Sequence, residues 1–304
     1  MSLQTTIPAR RLSRRRRRTS GIWVLLMVGP GLLLFALFIL WPLVSAVGNS
    51  FVQWDGLGPK VFVGFANYVQ VFSTEKTWTD LGHTIFYAVG TAIAKIVLAL
   101  LIALLVARAT RGVSILRSVI FIPVLMSFVA VGLLWTFILG PNQGLLNSAL
   151  GAIGLPSQTA WLGTPSLALY SVMGVDVWKW LGYHMVLFVA GLQSVRPELY
   201  EAAKVDGAGT VSSFFHITLP ALRTMIGLNF IIAFAGALNV FDLVYVMTQG
   251  GPSGASDTVM TFMYRQAFNV QQYGFASALA TILFFLVAIV TLIQIRFLRS
   301  DYNV

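Results

Sequence analysis

Six stretches of this chain run for more than twenty residues almost without charge. That repetition limits the possible folds more than any other feature of the sequence. The stretches are Ile22–Val47, Thr84–Ala107, Ile115–Leu139, Leu167–Gly191, Thr224–Met247 and Tyr273–Phe297. Each reaches the ~20 residues that an α-helix needs to cross about 30 Å of hydrocarbon, at roughly 1.5 Å per residue. Inside lipid the backbone has no water to bond, so these stretches must be helices. Only 10% of the 304 residues are charged, against about 25% in a soluble domain. The expected class is all-α, a polytopic membrane protein with six transmembrane helices.

Charge then sorts the connecting segments by side. Arg10, Arg11 and Arg14 to Arg18 precede the first span, and no acid occurs before Asp55. A nucleic-acid arm would read the same way locally. The apolar span that follows directly favours a basic cytoplasmic tail over residues 1–20, held by anionic lipid, and no nucleic-acid partner is expected. The first apolar run is too long for the ~7–15 residue core of a cleaved signal peptide, and no clear cleavage site follows it. With the N-terminus inside, fifteen Lys and Arg fall on the inner side and three (Lys60, Lys76 and Arg265) on the outer, with Lys95 and Lys179 inside spans. The bias places both termini in the cytoplasm and makes residues 21–304 the transmembrane domain. The aromatic-rich outer segment from Gly48 to Gly82 suits an interfacial or partly folded loop.

There are no cysteines, so no disulfide, thiolate nucleophile or cysteine-ligated metal site is available. The three histidines are scattered and form no H-E-x-x-H pattern. His83 and His216 read as structural, and His184 as at most a hydrogen-bond donor. No G-x-x-x-x-G-K-[ST] phosphate loop occurs. The outer "GGPSG" reads as a flexible turn, since it opens no helix carrying Lys.

On the inner side, "RPELYEAAKVDGAG" predicts a helix. Pro197 suits its first turn, and Glu198 and Glu201 favour the N-terminal dipole. Ala202 and Ala203 leave a smooth patch, and Gly207 and Gly209 end the helix. In "TVSSFFHITLPAL", Phe214, Phe215 and Ile217 are expected to bury against the bundle, and Pro220 to break the chain before the fifth span.

The order Glu201-Ala202-Ala203, Asp206-Gly207-Ala208, Ile217-Thr218-Leu219-Pro220 resembles the E-A-A loop of permease subunits of ATP-binding-cassette (ABC) importers. "AGLQSVRPELYEAAKVDGAG" and "VFDLVYVMTQGGP" resemble the carbohydrate branch, related to the large maltose-transporter permease, although that subunit has extra N-terminal spans and a large outer domain. The resemblance runs from the second span to the sixth and implies a type I ABC importer permease fold. It implies a coupling loop at about 192–222, in which Glu201, Ala202, Ala203, Asp206 and Gly207 dock in a separate ATPase. It further implies a second permease as heterodimer partner, two ATPase subunits and an extracytoplasmic sugar-binding protein, which "GGPSG" would lie near. ATP and Mg would be used by the ATPase, with no cofactor bound by this chain and no catalysis of its own. The place would be a bacterial cytoplasmic membrane.

Polar groups inside spans are costly and mark pathways or partners. In "VDVWKWLGYHM", Asp176, Trp180 and Tyr183 share one helical face. An aromatic face with a carboxylate suits a sugar. By the resemblance, counted back from the E-A-A triplet without a gap, these positions correspond to maltose-contacting ones. The structural alternative is that Asp176 pairs with Lys179 or Lys95. Asn239, Asp242 and Tyr245 or Val246 would share a face of the fifth span, as further substrate contacts or helix–helix hydrogen bonds. Ser127, near a kinking Pro123, is a weaker candidate. Lys95 is placed to neutralise Asp176 or Asp242.

The expectation is thus a sugar importer permease, for a di- or oligosaccharide or a sugar derivative, working by alternating access. A permease for a non-sugar solute is the nearest alternative. An ion-coupled secondary transporter would call for buried acids in corresponding halves and discontinuous helices in a repeat, and the sequence displays neither.

Overall fold

The computed structural model describes residues 16–107 and 111–300. Arg10, Arg11, Arg14 and Arg15 of the expected basic tail, and Arg108, lie outside those residues. The first span is a continuous helical rod, α1 (Arg16–Phe35), a π-helical turn (Ala36–Leu40) and α2 (Trp41–Asn49). None of the most apolar window of Trp23–Asn49 is buried. Among the described residues it is chiefly the α2 end that packs on other elements, mainly α15 (Tyr273–Ser300).

The outer segment that follows is folded rather than loose. A two-stranded antiparallel hairpin, β1 (Val52–Gln53) with β2 (Val61–Phe62), leads into α3 (Ala66–Ser73). The buried Asn67 amide ties it down by donating to the carbonyls of Ser50 and Val52, at 2.8 and 2.9 Å. The second span is longer than its apolar run. Helix α4 (Glu75–Val106) begins within the expected outer loop and, at 32 residues, reaches about 48 Å.

The bundle is built around α4 and α8 (Pro165–Gln193), the pair of elements in most extensive contact. Fully buried Ala88, Ala92, Ala99 and Ala103 run down one side of α4. Small residues there let the two backbones approach closely, as membrane packing requires. Gly182 does the same on α8, where an added Cβ would lie 2.4 Å from the Ile120 carbonyl oxygen of α5 (Arg111–Leu125).

Two expected spans are broken. Helix α5 and helix α6 (Phe128–Ile138) meet at 102°. Pro123 removes a donor within α5. Ser127 adopts an extended conformation and caps α6 by accepting from the Ala130 N–H at 3.2 Å. Ser127, a weaker substrate candidate in the sequence, does not line the cavity described below. Carbonyls freed at the break are met from α8, whose Lys179 ammonium donates to those of Pro123, Val124 and Met126 at 3.3, 3.3 and 2.7 Å. Broken backbone within a bilayer persists only where such partners exist.

The second break follows the cytoplasmic-loop motif. Short helices α10 (Thr210–Ser213) and α11 (Leu219–Ala221) flank a π-helical turn (Phe214–Thr218), and this arm meets α12 (Arg223–Leu238) at 64° beside Pro220. Of the two phenylalanines expected to bury, Phe214 packs on the core and Phe215 is exposed. The fifth span breaks once more. Helix α12 stops at Leu238, and the chain turns at Asn239 to Phe241 before α13 (Asp242–Met247).

Among the described residues, three helices are long and apolar enough to cross a membrane, or five if each bent pair counts as one span. The fourth expected span, Leu167–Gly191, corresponds to α8, which at 29 residues is long but carries Asp176 and Lys179 near its middle. The third and fifth expected spans are interrupted, after the kinking Pro123 and at Asn239, and the bend beside Pro220 falls before the fifth span, where the sequence predicts it. The remaining elements are α7 (Leu145–Ala152), α9 (Pro197–Val205) and α14 (Val259–Phe268).

Candidate functional site

A cavity of about 290 Å³ lies where α4, α6, α8 and the broken α12–α13 segment converge. Asp176, Trp180, Asn239 and Asp242 all line it, with Lys95, Phe128 and His184. Helical geometry explains the α8 contribution, since Asp176, Trp180 and His184 recur at every fourth residue and so share one stripe. Tyr183 falls outside the lining and packs its ring on Trp180 and His184, at 5.6 and 5.3 Å. Tyr245 falls outside it too. It stacks on Phe241 and meets Tyr264, at centroid distances of 5.1 and 5.0 Å. One continuous helix would have put Asn239, Asp242 and Tyr245 on a single face; the turn breaks that register between Asn239 and α13, and Tyr245 is taken up by the neighbouring rings. The Asn239 amide itself closes α12 by donating to the Ala235 carbonyl at 2.9 Å.

The polar end of the cavity is an ion pair. Lys95 Nζ donates to Asp176 Oδ2 at 2.6 Å, and both side chains are at most 6% exposed. Lys179 is therefore not the partner of Asp176. Besides capping the α5–α6 break, its ammonium lies 4.6 Å from the Phe128 ring centre and 5.4 Å from that of Trp180. His184 is buried and hydrogen-bonded to Asn229 on α12 at 2.8 Å. With the Asn229 amide nitrogen donating to the Met225 carbonyl, its oxygen accepts from His184 Nδ1. Sequence reasoning did not place His184 or Phe128 at a site. For His184 the four-residue spacing from Trp180 was the available signal, whereas Phe128 reaches the cavity only because the third span breaks.

On the outer side, the "GGPSG" loop is pinned rather than flexible. Asp257, fully buried, forms ion pairs with Arg265 and with Lys76, the latter at 2.8 Å, and accepts from Thr261 Oγ1 at 2.9 Å. Lys76 also pairs with buried Asp80, and His83 Nδ1 lies 3.1 Å from the Asp257 carbonyl oxygen. Ser256, fully buried, reaches back to the Gly251 carbonyl at 2.6 Å. The loop closes on α4 through these contacts.

At the other end of the bundle, α9 stands out as the polar element. Glu198, Glu201, Ala202, Lys204, Val205, Asp206 and Gly207 are exposed, while Ala203 is half-buried. Gly207 takes a left-handed φ of +78°, and the Ala208 N–H bonds the Ala203 carbonyl at 2.8 Å. That closure is a glycine C-cap, and it leaves the chain free to turn back toward the bundle. Tyr200 anchors the helix from behind, its hydroxyl 2.9 Å from Thr218 Oγ1 in the π-helical turn. The α9 surface is thus held by one buried-side contact to the arm that leads into α12, with its E-A-A face turned outward.

The comparisons with known proteins agree with this architecture. Residues 95–302 match the family described as binding-protein-dependent transport system inner membrane component. A probable ABC transporter permease of Bacillus subtilis, YurN, is 38% identical over 272 residues, covering 88% of this chain and 93% of that protein. The diacetylchitobiose uptake system permease NgcF of Streptomyces coelicolor is 35% identical over 293 residues, 91% of this chain and 83% of that protein. The trehalose/maltose transport system permease MalF of Thermococcus litoralis is 32% identical over 272 residues, 89% of this chain and 92% of that protein. In fold the chain is similar to one from a bacterial ABC transporter that imports the acidic polysaccharide alginate, with a TM-score of 0.81 at 23% identity, covering 95% of this chain and 99% of that one. The chain therefore belongs to the inner membrane permease components of binding-protein-dependent ABC transport systems.

Proposed function

We propose that this chain is one of two permease subunits of an ATP-driven importer, and that it carries a di- or oligosaccharide, or a sugar derivative, by alternating access. The observation that carries the reading is the exposed α9 surface, which presents Glu201, Ala202, Asp206 and the left-handed Gly207 to a partner. Small side chains allow close approach, and Glu201 offers a charge for an ion pair. In this reading residues 192–222 form the coupling loop. A separate ATPase, two copies of which use ATP and Mg²⁺, docks on α9 and moves the bundle through the Tyr200–Thr218 contact and the bent arm into α12. The cavity lined by Asp176, Trp180, Asn239 and Asp242 is then the cargo site, and six spans place both termini in the cytoplasm. Sugar as cargo is supported by the relatives, which are described as permeases for diacetylchitobiose and for trehalose and maltose. A structural relative of the same fold comes from a complex with a pentasaccharide-bound periplasmic protein, which supports an extracytoplasmic binding protein as donor.

Discontinuous helices at a mid-membrane site also occur in ion-coupled carriers, so the breaks do not choose between the two. The exposed, capped α9 surface supports the ATP-driven reading. The test is uptake by the complete importer in proteoliposomes, with Glu201→Lys and Gly207→Val as variants. Both should purify as assembled subunits and lose uptake. Wild-type uptake in both would refute the coupling role.

A further inference from the structure

The charges of the cavity do not balance, and the imbalance has a sign. Lys95 contributes one positive charge, but Asp176 already holds it at 2.6 Å, buried on both sides. A cargo anion would have to displace that carboxylate from a dry contact. Lys179, the other cation nearby, is committed to the Pro123, Val124 and Met126 carbonyls and lies behind the Phe128 and Trp180 rings. His184 is engaged with Asn229. Asp242 differs from all of these. It lines the cavity, is exposed, and has no Lys, Arg or His within ion-pair distance among the described residues. The part of α12 that lines the same space is uncharged.

We infer that Asp242 makes the cavity select cargo by charge, admitting a neutral or amine-bearing saccharide and rejecting an acidic one. The inference rests on the sugar-permease reading and goes beyond it by naming the substrate class. It sets this chain apart from its structural relative, whose cargo is an acidic polysaccharide, because likeness of fold leaves side-chain charge free to change. The mechanism is Coulombic. A uronate held a few ångströms from Asp242 meets like-charge repulsion, whereas an ammonium meets attraction. The cavity's volume is near the low end for ligand sites, roughly 300–1,000 Å³, so it grips a short piece of sugar at a time, within reach of that carboxylate.

The test is equilibrium binding to the assembled importer in nanodiscs without binding protein, read by saturation-transfer NMR with N-acetylglucosamine, glucosamine and glucuronate as probes. Wild type should bind the first two at least about tenfold more tightly than glucuronate. Asp242→Asn should erase most of that ratio, and Asn239→Asp, which adds a carboxylate on the same wall, should widen it. Equal binding of glucuronate by wild type, or a ratio unmoved in both variants, overturns the charge selection and leaves the sugar reading standing. Binding of none of the three probes overturns the sugar reading itself.

Discussion

Removing Asp176 while leaving Lys95 in place should destabilise the bundle far more than removing both. The two side chains bridge α4 and α8 at 2.6 Å, with relative exposures of 6% and 3%. Lys95 has no other hydrogen bond or ion pair among the described residues. Asp176→Ala therefore leaves an ammonium buried between the two helices that form the largest contact in the chain. Breaking a buried pair by deleting one partner costs about 3–5 kcal/mol, whereas replacing both partners by apolar residues of similar size is often neutral or stabilising. Asp176→Asn, which keeps an acceptor, should fall between.

The assay is thermal melting of the detergent-purified importer, followed by fluorescence-detected size exclusion, over a double-mutant cycle. The cycle combines Asp176→Leu, Lys95→Met and the double variant carrying both, with Asp176→Ala measured alongside. The double variant should melt within about 1 kcal/mol of wild type, and each single variant well below it, so the cycle reports a large coupling. Transport is not the readout, because Asp176 also lines the cavity and uptake would fall in every variant. Additive singles, or an Asp176→Ala protein as stable as wild type, would refute the claim that this pair fastens α4 to α8.

Other consequences follow from single contacts. Gly182→Ala puts a Cβ 2.4 Å from the Ile120 carbonyl oxygen and 2.7 Å from Phe121 Cα, both backbone atoms that cannot rotate away. Overpacking of that kind costs about 1–3 kcal/mol, read as a lower melting temperature. Gly207→Ala meets no atom within 4 Å but forces a side chain to φ +78°, a strain of about 1–2 kcal/mol for an L-residue. The α9 C-cap should loosen, with uptake reduced and the yield of assembled protein kept. Lys179→Met strips three carbonyls at the α5–α6 break of their donor, at about 1–3 kcal/mol for each buried group left unpaired, and should raise hydrogen exchange at residues 124–128 specifically. Asp257→Ala frees the outer loop. Lys76 and Arg265 side chains are each 35% exposed and can turn to water, so the melting temperature should fall modestly while cleavage by protease at residues 250–256 rises sharply.

The parts of this molecule legible in the sequence are those fixed by a local period or a local breaker. The apolar runs located the long helices, and the four-residue spacing of Asp176 and Trp180 on α8 put both in one cavity. Pro197, the alanines and Gly207 drew α9 and its cap. Hydropathy carries no information about bending, because a kinked span and a straight one are equally apolar. The α5–α6 break falls at Met126–Ser127, just after Pro123, and its carbonyls are met by Lys179 from another helix, a partner that no local window contains. The Asn239 break has still less warning, since no Gly or Pro occurs from Ala237 to Gln249. There the phase of the fifth span is lost between Asn239 and α13. The outer loop was misread for a related reason. Its composition is that of a mobile turn, but Asp257 is fastened to Lys76, 181 positions away in sequence, and long-range charge pairing leaves no periodic trace. These features have a common consequence for the site. The cavity sits against two helix breaks, so its shape depends on contacts made between helices rather than within them. In the proposed coupling, a force applied at α9 and carried through the bent arm into α12 would act on the element that ends at Asn239 and leads directly to Asp242.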